Sequence, residues 1–313
     1  MKIAIDISQI VYTGTGVAEY TEKLVTSLLA EDSENEYILF ATTLRQRGFF
    51  QKFAKNILEK RKNVILKLLP FPQTIGNFLW NRLHMIYIEH FLGPIDVLHS
   101  SDWIQPRTRA KKVTTIHDLV IYRYPELSHP YIVETQKRRL SWVKKECDMV
   151  LADSLSTKKD LVSLLHFDPL RIEVVYPGIN EIFTSQTEER KRVIKQKYRL
   201  PDEYILAVGT LEPRKNLKRV IHAFEKFSHH SLILSRKTPI ELIVIGNKGW
   251  GDRLPPGKYV RLLGFVEKRD LPALYAAATF FVYPSLYEGF GLPILEAMSC
   301  GCPAITSERG SLK

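Results

Sequence analysis

The chain has 313 residues, of which 45% are hydrophobic and 25% charged, an ordinary globular composition with length for about two domains. Its 45 basic and 34 acidic residues leave a net charge of +11, which favours acidic partners: nucleotide phosphates, anionic lipid surfaces or nucleic acid. The sequence has no arginine-rich tract, RNP-like aromatic pattern or zinc spacing to support nucleic acid, and its three cysteines argue against a disulfide framework and fit a reducing cytoplasm.

The first stretch, MKIAIDISQI, carries Asp6 inside its apolar run and has no signal-like core. The most apolar later stretch, 271–286, is too short for a bilayer and contains Pro272 and Pro284. A soluble or peripherally bound protein is expected. Residues 2–7 predict a strand, followed by a loop with Gly14 and Gly16 and a helix over 17–29. T-G-T-G-V-A-E-Y is not a dinucleotide fingerprint, because Glu19 stands at the third glycine position, and a dehydrogenase is disfavoured. On their own residues, Gly14 and Gly16 read as a plain turn or as a place of close backbone approach.

Strands are predicted over 37–41 and 64–69. The basic helical material between them (Arg45, Arg47, Lys52, Lys55, Lys60, Arg61, Lys62) reads as a solvated face. The aromatic stretch 71–91, with Phe78, Trp80, Tyr87 and Phe91, reads as core packing in preference to a membrane seat. Further strands are expected at 95–99 and 112–116, the second ending in T-I-H-D-L, so that His117 and Asp118 fall at its carboxyl edge. A helix over 131–147, a strand over 149–152 and A-D-S-L-S-T-K-K-D-L come next, with Ser154 or Ser156 as the helix cap. Beyond R-I-E-V-V-Y-P-G-I-N, the charged segment 188–199 leads to Pro201, and the division is placed between domains 1–185 and 186–313.

The second half opens with a strand over 204–208, then G-T-L-E-P-R-K-N, then a helix in which Leu217, Val220, Ile221, Phe224 and Phe227 keep helical spacing. Arg214 and Lys215 at that helix start oppose its macrodipole, a term a bound diphosphate would reverse. Arginine can hold phosphate bidentately and lysine as a point charge. Residues 242–245 and 260–263 predict strands, the latter entering G-F-V-E at 264–267. Residues 280–283 predict a buried strand that ends at Pro284, which puts Glu288 at the sheet edge where open α/β folds bind ligands. Gly289 and Gly291 then precede a helix near Leu292, whose unpaired N–H groups and positive end suit an anion. Glu296 lies about 6 Å further along the axis, placed to grip hydroxyls beside a bound phosphate. Cys300 and Cys302 lack a second ligand pair and read as small buried thiols, with no metal. Both halves are strand, turn and helix units, so the expected class is doubly wound α/β.

The block Y-E-G-F-G-L-P-I-L-E-A-M, with Glu288 and Glu296 separated by seven residues, resembles the signature of retaining glycosyltransferases of family 4. That resemblance implies the GT-B architecture of two facing Rossmann-like domains. It also implies that Glu288 lies by the donor sugar and that Glu296 binds the nucleotide ribose. H-D-L followed by Y-P-E is similar to the family's acceptor-domain motif, whose histidine, here His117, contacts the donor sugar, with Asp118 beside it. G-T-L-E-P-R-K-N resembles the diphosphate loop, with Thr210 where many members have arginine. The family match further implies donor contacts from Gly14, Gly16, Gly289, Phe290, Gly291 and Leu292, and from the backbone around Phe265 and Val266.

The implied activity is metal-independent hexosyl transfer, with a lean to mannose from E-P-R-K-N. The donor is a nucleotide-diphosphate sugar, with no separate cofactor, and the acceptor a glycan or lipid-linked hydroxyl in polysaccharide assembly. A cytoplasmic protein with peripheral contact at the inner membrane face fits this activity, and no nucleic acid is expected. Family members continue past a sequence like G-S-L, so the second domain is expected to be incomplete after Lys313. The alternative is a nucleotide-sugar-binding protein without transfer activity.

Overall fold

Short apolar runs bounded by polar turns become strands, and the central ones are buried on both faces, as parallel sheets covered by helices require. The computed structural model describes residues 1–229, 239–247, 249 and 257–312, in two compact units, Met1–Tyr176 and Pro177–Lys313. The first unit carries β1 (Lys2–Asp6), β2 (Glu36–Thr42), β3 (Val64–Leu69), β4 (Val97–Ser100), β5 (Lys111–Ile116), β6 (Met149–Ala152) and β7 (Ile172–Val174). They form one parallel sheet in the order β3-β2-β1-β4-β5-β6-β7. The second carries β8 (Tyr204–Val208), β9 (Glu241–Ile245), β10 (Val260–Gly264), β11 (Phe280–Tyr283) and β12 (Ala304–Thr306), parallel in the order β10-β9-β8-β11-β12. Strand order reverses beside β1 and beside β8, and each reversal opens a crevice at the carboxyl edge. At the centre of the second sheet, Leu206 pairs with Ile243 on one side and Phe281 on the other, and all three are fully buried.

Helices cover the sheets where the periodicity predicts them. The helix Gly16–Glu31 is capped by Thr15, whose side chain accepts from Ala18 N. Ser154, not Ser156, caps Leu155–Leu165 by accepting from Thr157 N. In Leu217–Ser228, Leu217, Val220, Ile221 and Phe224 are buried. Phe227 departs from the expected stripe at 39% exposed: it sits in the last turn and rests against the Phe224 ring.

Where the sequence places the division after residue 185, the units separate between Tyr176 and Pro177. Phe183 is buried in the second core with its ring 6.1 Å from that of Tyr275, so the stretch before the charged helix Glu188–Tyr198 packs as part of the second unit. Lys313, where the chain was expected to stop short of a whole domain, lies outside the described residues. Among the described residues, no helix is long and apolar enough to cross a membrane.

The aromatic stretch 71–91 packs inward around Trp80, which is fully buried with the rings of Phe71 and Phe91 at 5.8 and 6.1 Å. Trp80 Nε1 donates to Ile86 O at 2.9 Å; Phe78 departs from this packing and turns largely outward, at 48% exposed. Trp80→Ala should therefore destabilise the first unit by about 3–5 kcal/mol. Urea denaturation checks this, and a loss below about 1 kcal/mol would remove Trp80 from the core.

Candidate functional site

The loops that leave β8 and β11, neighbouring strands at the reversal of the second sheet, bring Arg214, Lys215 and Glu288 together. Pro213–Lys215 is a single 3-10 turn ended by Asn216 at φ 59, which aims both cations back over the sheet edge. Arg214 Nη1 donates to Glu288 Oε2 at 2.6 Å and Arg214 Nη2 to Glu212 Oε1 at 2.7 Å. Lys215 Nζ donates to Glu288 Oε1 at 2.7 Å and to the Tyr283 hydroxyl at 2.6 Å, which itself donates to Glu288 Oε1 at 3.0 Å. The four charged side chains are only 6–17% exposed, and their charges balance. Burial alone would raise the Glu288 pKa, but Lys215 and Arg214 outweigh it and hold the carboxyl at about 2, below its ordinary 4.5.

This corrects one part of the sequence reading. The cations near the helix start do not stand uncompensated until an anion arrives, because Glu288 and Glu212 already answer them. The Glu288 loop is held from behind by the last described residues. Ser311 donates to the Glu288 carbonyl from its backbone N at 3.2 Å and its hydroxyl at 3.1 Å. A Cβ on Gly310, at φ +61, would stand 2.5 Å from that carbonyl. Gly291 turns left-handed at φ 98 to cap the helix Leu292–Ser299, and a Cβ there would stand 2.8 Å from Leu312 Cδ2.

Gly289 and Gly291 are buried and Phe290 and Leu292 half-buried in the same loop and helix start. Glu296 is half-buried on that helix and accepts from the Tyr275 hydroxyl at 3.2 Å. Val266 is anchored in the second core while Phe265 is 66% exposed, so the main chain between them is presented by a fixed side chain. Cys300 and Cys302 are buried, and burial pushes their thiols up to about 12 and about 11.

A second polar centre forms in the first unit at the carboxyl edges of β5 and β6. His117 Nδ1 lies 2.7 Å from Asp153 Oδ2, the Tyr20 ring meets the imidazole edge-on with centroids 4.8 Å apart, and Thr157 Oγ1 donates to the His117 carbonyl. Asp118 is turned to its own loop, its Oδ1 accepting from Val120 N. In the loop after the short 3-10 helix Ser8–Val11, Gly14 takes φ 83 and Gly16 starts the helix, where a Cβ would meet nothing within 4 Å.

Sequence reasoning missed three participants. Glu212 stands in the E-P-R-K-N block without a role of its own there, Tyr283 reads from sequence only as a strand residue, and Asp153 only as the neighbour of a cap. Asp153 follows a predicted strand just as His117 does, and the pairing of β5 with β6 was the missing signal.

The fold matches known structures over nearly its whole length. Anabaena HepE, crystallised with UDP and glucose, superposes with a TM-score of 0.69 at 17% identity, covering 99% of this chain and 82% of that one. WaaG, a glycosyltransferase involved in lipopolysaccharide biosynthesis, gives 0.66 at 15% identity, covering 99% and 82%. Its two parallel-sheet α/β domains have the GT-B fold.

A model described as Glycosyltransferase Family 4 matches residues 14–182 and one described as Glycosyl transferases group 1 matches residues 175–313; the chain belongs to glycosyltransferase family 4. Among curated relatives, the O-antigen chain mannosyltransferase B of Escherichia coli is 30% identical over 325 residues, covering 100% of this chain and 84% of its own. The O-antigen chain mannosyltransferase RfbU of Salmonella typhimurium is 25% identical over 320 residues, covering 97% and 81%.

Because the Glu288 carboxyl is depressed in the folded state, its contribution to stability is present above pH 4.5 and is lost as pH falls through about 2. The Tm difference between the native protein and Glu288→Gln should be level above about pH 5 and shrink towards pH 2. Thermal unfolding across that range checks it, and a difference independent of pH would contradict the ionic account.

Proposed function

We propose that the protein transfers a hexose, with mannose the first candidate, from a nucleotide-diphosphate sugar to an acceptor hydroxyl in polysaccharide assembly, with retention at the anomeric carbon. The observation that carries this is the cluster of Arg214, Lys215 and Glu288 at the strand-order reversal of the second sheet. Two relatives matched over nearly the whole chain, both O-antigen mannosyltransferases by name, support the sugar and a glycan acceptor. A diphosphate offers more charge and more oxygens than one carboxylate, so it competes with Glu288 for Arg214 and Lys215. The backbone from Gly289 to Leu292 and the positive end of the helix add to its neutralisation without a metal.

In this reading Glu296 binds the ribose, the backbone at Phe265 and Val266 meets the base, and the loop of Gly14 and Gly16 admits a close substrate approach. His117 donates to a substrate hydroxyl, with Asp118 shaping its loop. The bond from the anomeric carbon to the leaving phosphate oxygen breaks as the bond to the acceptor oxygen forms on the same face, and the acceptor proton passes to the departing diphosphate. Glu288, sharing its cations with the diphosphate, stands beside the carbon as it becomes cationic. The net charge of +11 supports peripheral contact with the anionic inner face of a membrane, where a lipid-linked acceptor would lie.

The two carboxylates separate this reading from a structural one. Glu296→Gln should chiefly raise KM, since a ribose contact is lost about equally in ground and transition states. Glu288→Gln should chiefly lower kcat, by about tenfold to a thousandfold. Initial rates of nucleoside diphosphate release, with GDP-mannose as the first donor in a panel of nucleotide sugars, read both effects. Equal losses that track stability alone would return both residues to structural roles, and binding of donors without release would reduce the protein to a nucleotide-sugar binder.

A further inference from the structure

We propose that Asp153 is the positioning residue for His117: its carboxylate fixes the imidazole with Nδ1–H directed at Asp153, which leaves Nε2–H to donate to a substrate hydroxyl or anion. The inference rests on the reading of His117 as a substrate-contacting group and adds a residue to it.

Three observations carry the assignment. The first is the geometry: the 2.7 Å contact joins Nδ1 to Oδ2, while the Tyr20 ring and the Thr157 hydroxyl restrain the imidazole and its carbonyl. The second is the support. Asp153 follows β6 and precedes Ser154, whose Oγ accepts from Thr157 N at 3.1 Å, so the carboxylate sits on backbone locked by a helix cap.

The third is the burial of Asp153 itself. Its side chain is 8% exposed, and Oδ1 is buried with no hydrogen-bond partner among the described residues. A carboxylate half-satisfied in this way costs stability unless a cation answers it, and His117 is the cation in contact. A helix-capping role belongs to Ser154, so it does not account for the acid.

The surrounding charges act in the same direction. His117 faces Asp153 after β6, Asp102 after β4 and Asp118 next to itself, with His99 of β4 and Tyr20 on its other sides. Burial alone would lower its pKa, but the carboxylates outweigh burial and raise it from 6.5 to about 9. His99 goes the other way, to about 4, through burial and the nearby charges of His117 and Arg139. One imidazole is thus held charged and its neighbour neutral. The stability this pair contributes is fully present below pH 6.5 and is lost as pH rises through about 9.

The test is an NMR titration of the His117 ring alongside the pH profile of transfer, in the native protein, Asp153→Asn, His117→Gln and the double variant. The native ring should titrate near 9 and that of Asp153→Asn at 6.5 or below. Transfer by Asp153→Asn should fall about tenfold to a hundredfold, with its alkaline limb moved to lower pH and nucleoside diphosphate affinity unchanged. Added to His117→Gln, the Asp153→Asn change should cost nothing more, because it acts through the ring. Additive losses, an unmoved pH profile, or a native His117 that titrates at 6.5 or below would overturn the proposal. The last readout needs no variant to fold. If His117→Gln leaves transfer intact, the functional reading of His117 falls and the proposal with it. If His117→Gln abolishes transfer while Asp153→Asn changes neither titration nor rate, only the positioning role fails.

Discussion

The carboxylate of Glu288 held between Arg214 and Lys215 is the constraint on which the arrangement of the second unit's candidate site depends. Removing one partner of such a buried pair commonly costs about 3–5 kcal/mol, because the remaining charge is left in a poor solvent. The pair therefore fixes the relative placement of the β8 and β11 loops before any ligand arrives. Under the proposed function that preorganisation matters, since cations already aimed and desolvated need little rearrangement to receive a diphosphate. The same contact would then make the resident carboxylate a competitor for the ligand. In the proposed function Glu288 would limit how tightly the product diphosphate is held, which suits a transferase that must release it at each turn.

The two units use one topological device for two kinds of polar centre. In each, side chains from the carboxyl ends of adjacent parallel strands meet: β8 with β11 for the cation cluster, β5 with β6 for His117 and Asp153. Parallel strands deliver their loops to a common edge, and residues far apart in sequence become hydrogen-bond partners there. Short supporting contacts then stiffen each centre, from Ser311 behind Glu288 and from Thr157 behind His117.

Much of this was legible in the sequence, for physical reasons that can be named. The apolar runs at 64–69 and 149–152 became β3 and β6 with those bounds, since a run of four to six mostly apolar residues between polar turns has the length and residue types of a strand. Helix caps such as Ser154 were readable because a cap is a local hydrogen bond. Contacts across the fold were not readable. Arg214 and Glu288 lie 74 positions apart and His117 and Asp153 lie 36 apart, so their pairing depends on strand order, which no local pattern encodes. The place where the units separate depended on the burial of Phe183, a lone aromatic in a polar stretch whose direction only packing decides.

Exchange of one anion for another at Arg214 and Lys215 is the step on which the proposed function rests. Calorimetric binding of a nucleoside diphosphate across a salt series, in the native protein and in the double variant Arg214→Ala with Lys215→Ala, tests it most directly. Salt-sensitive binding is expected of the native protein, and binding weakened by at least about a hundredfold in the variant, equal to about 2.7 kcal/mol, with the salt dependence reduced. Affinity unchanged at low salt, in a variant that still unfolds cooperatively, would contradict it.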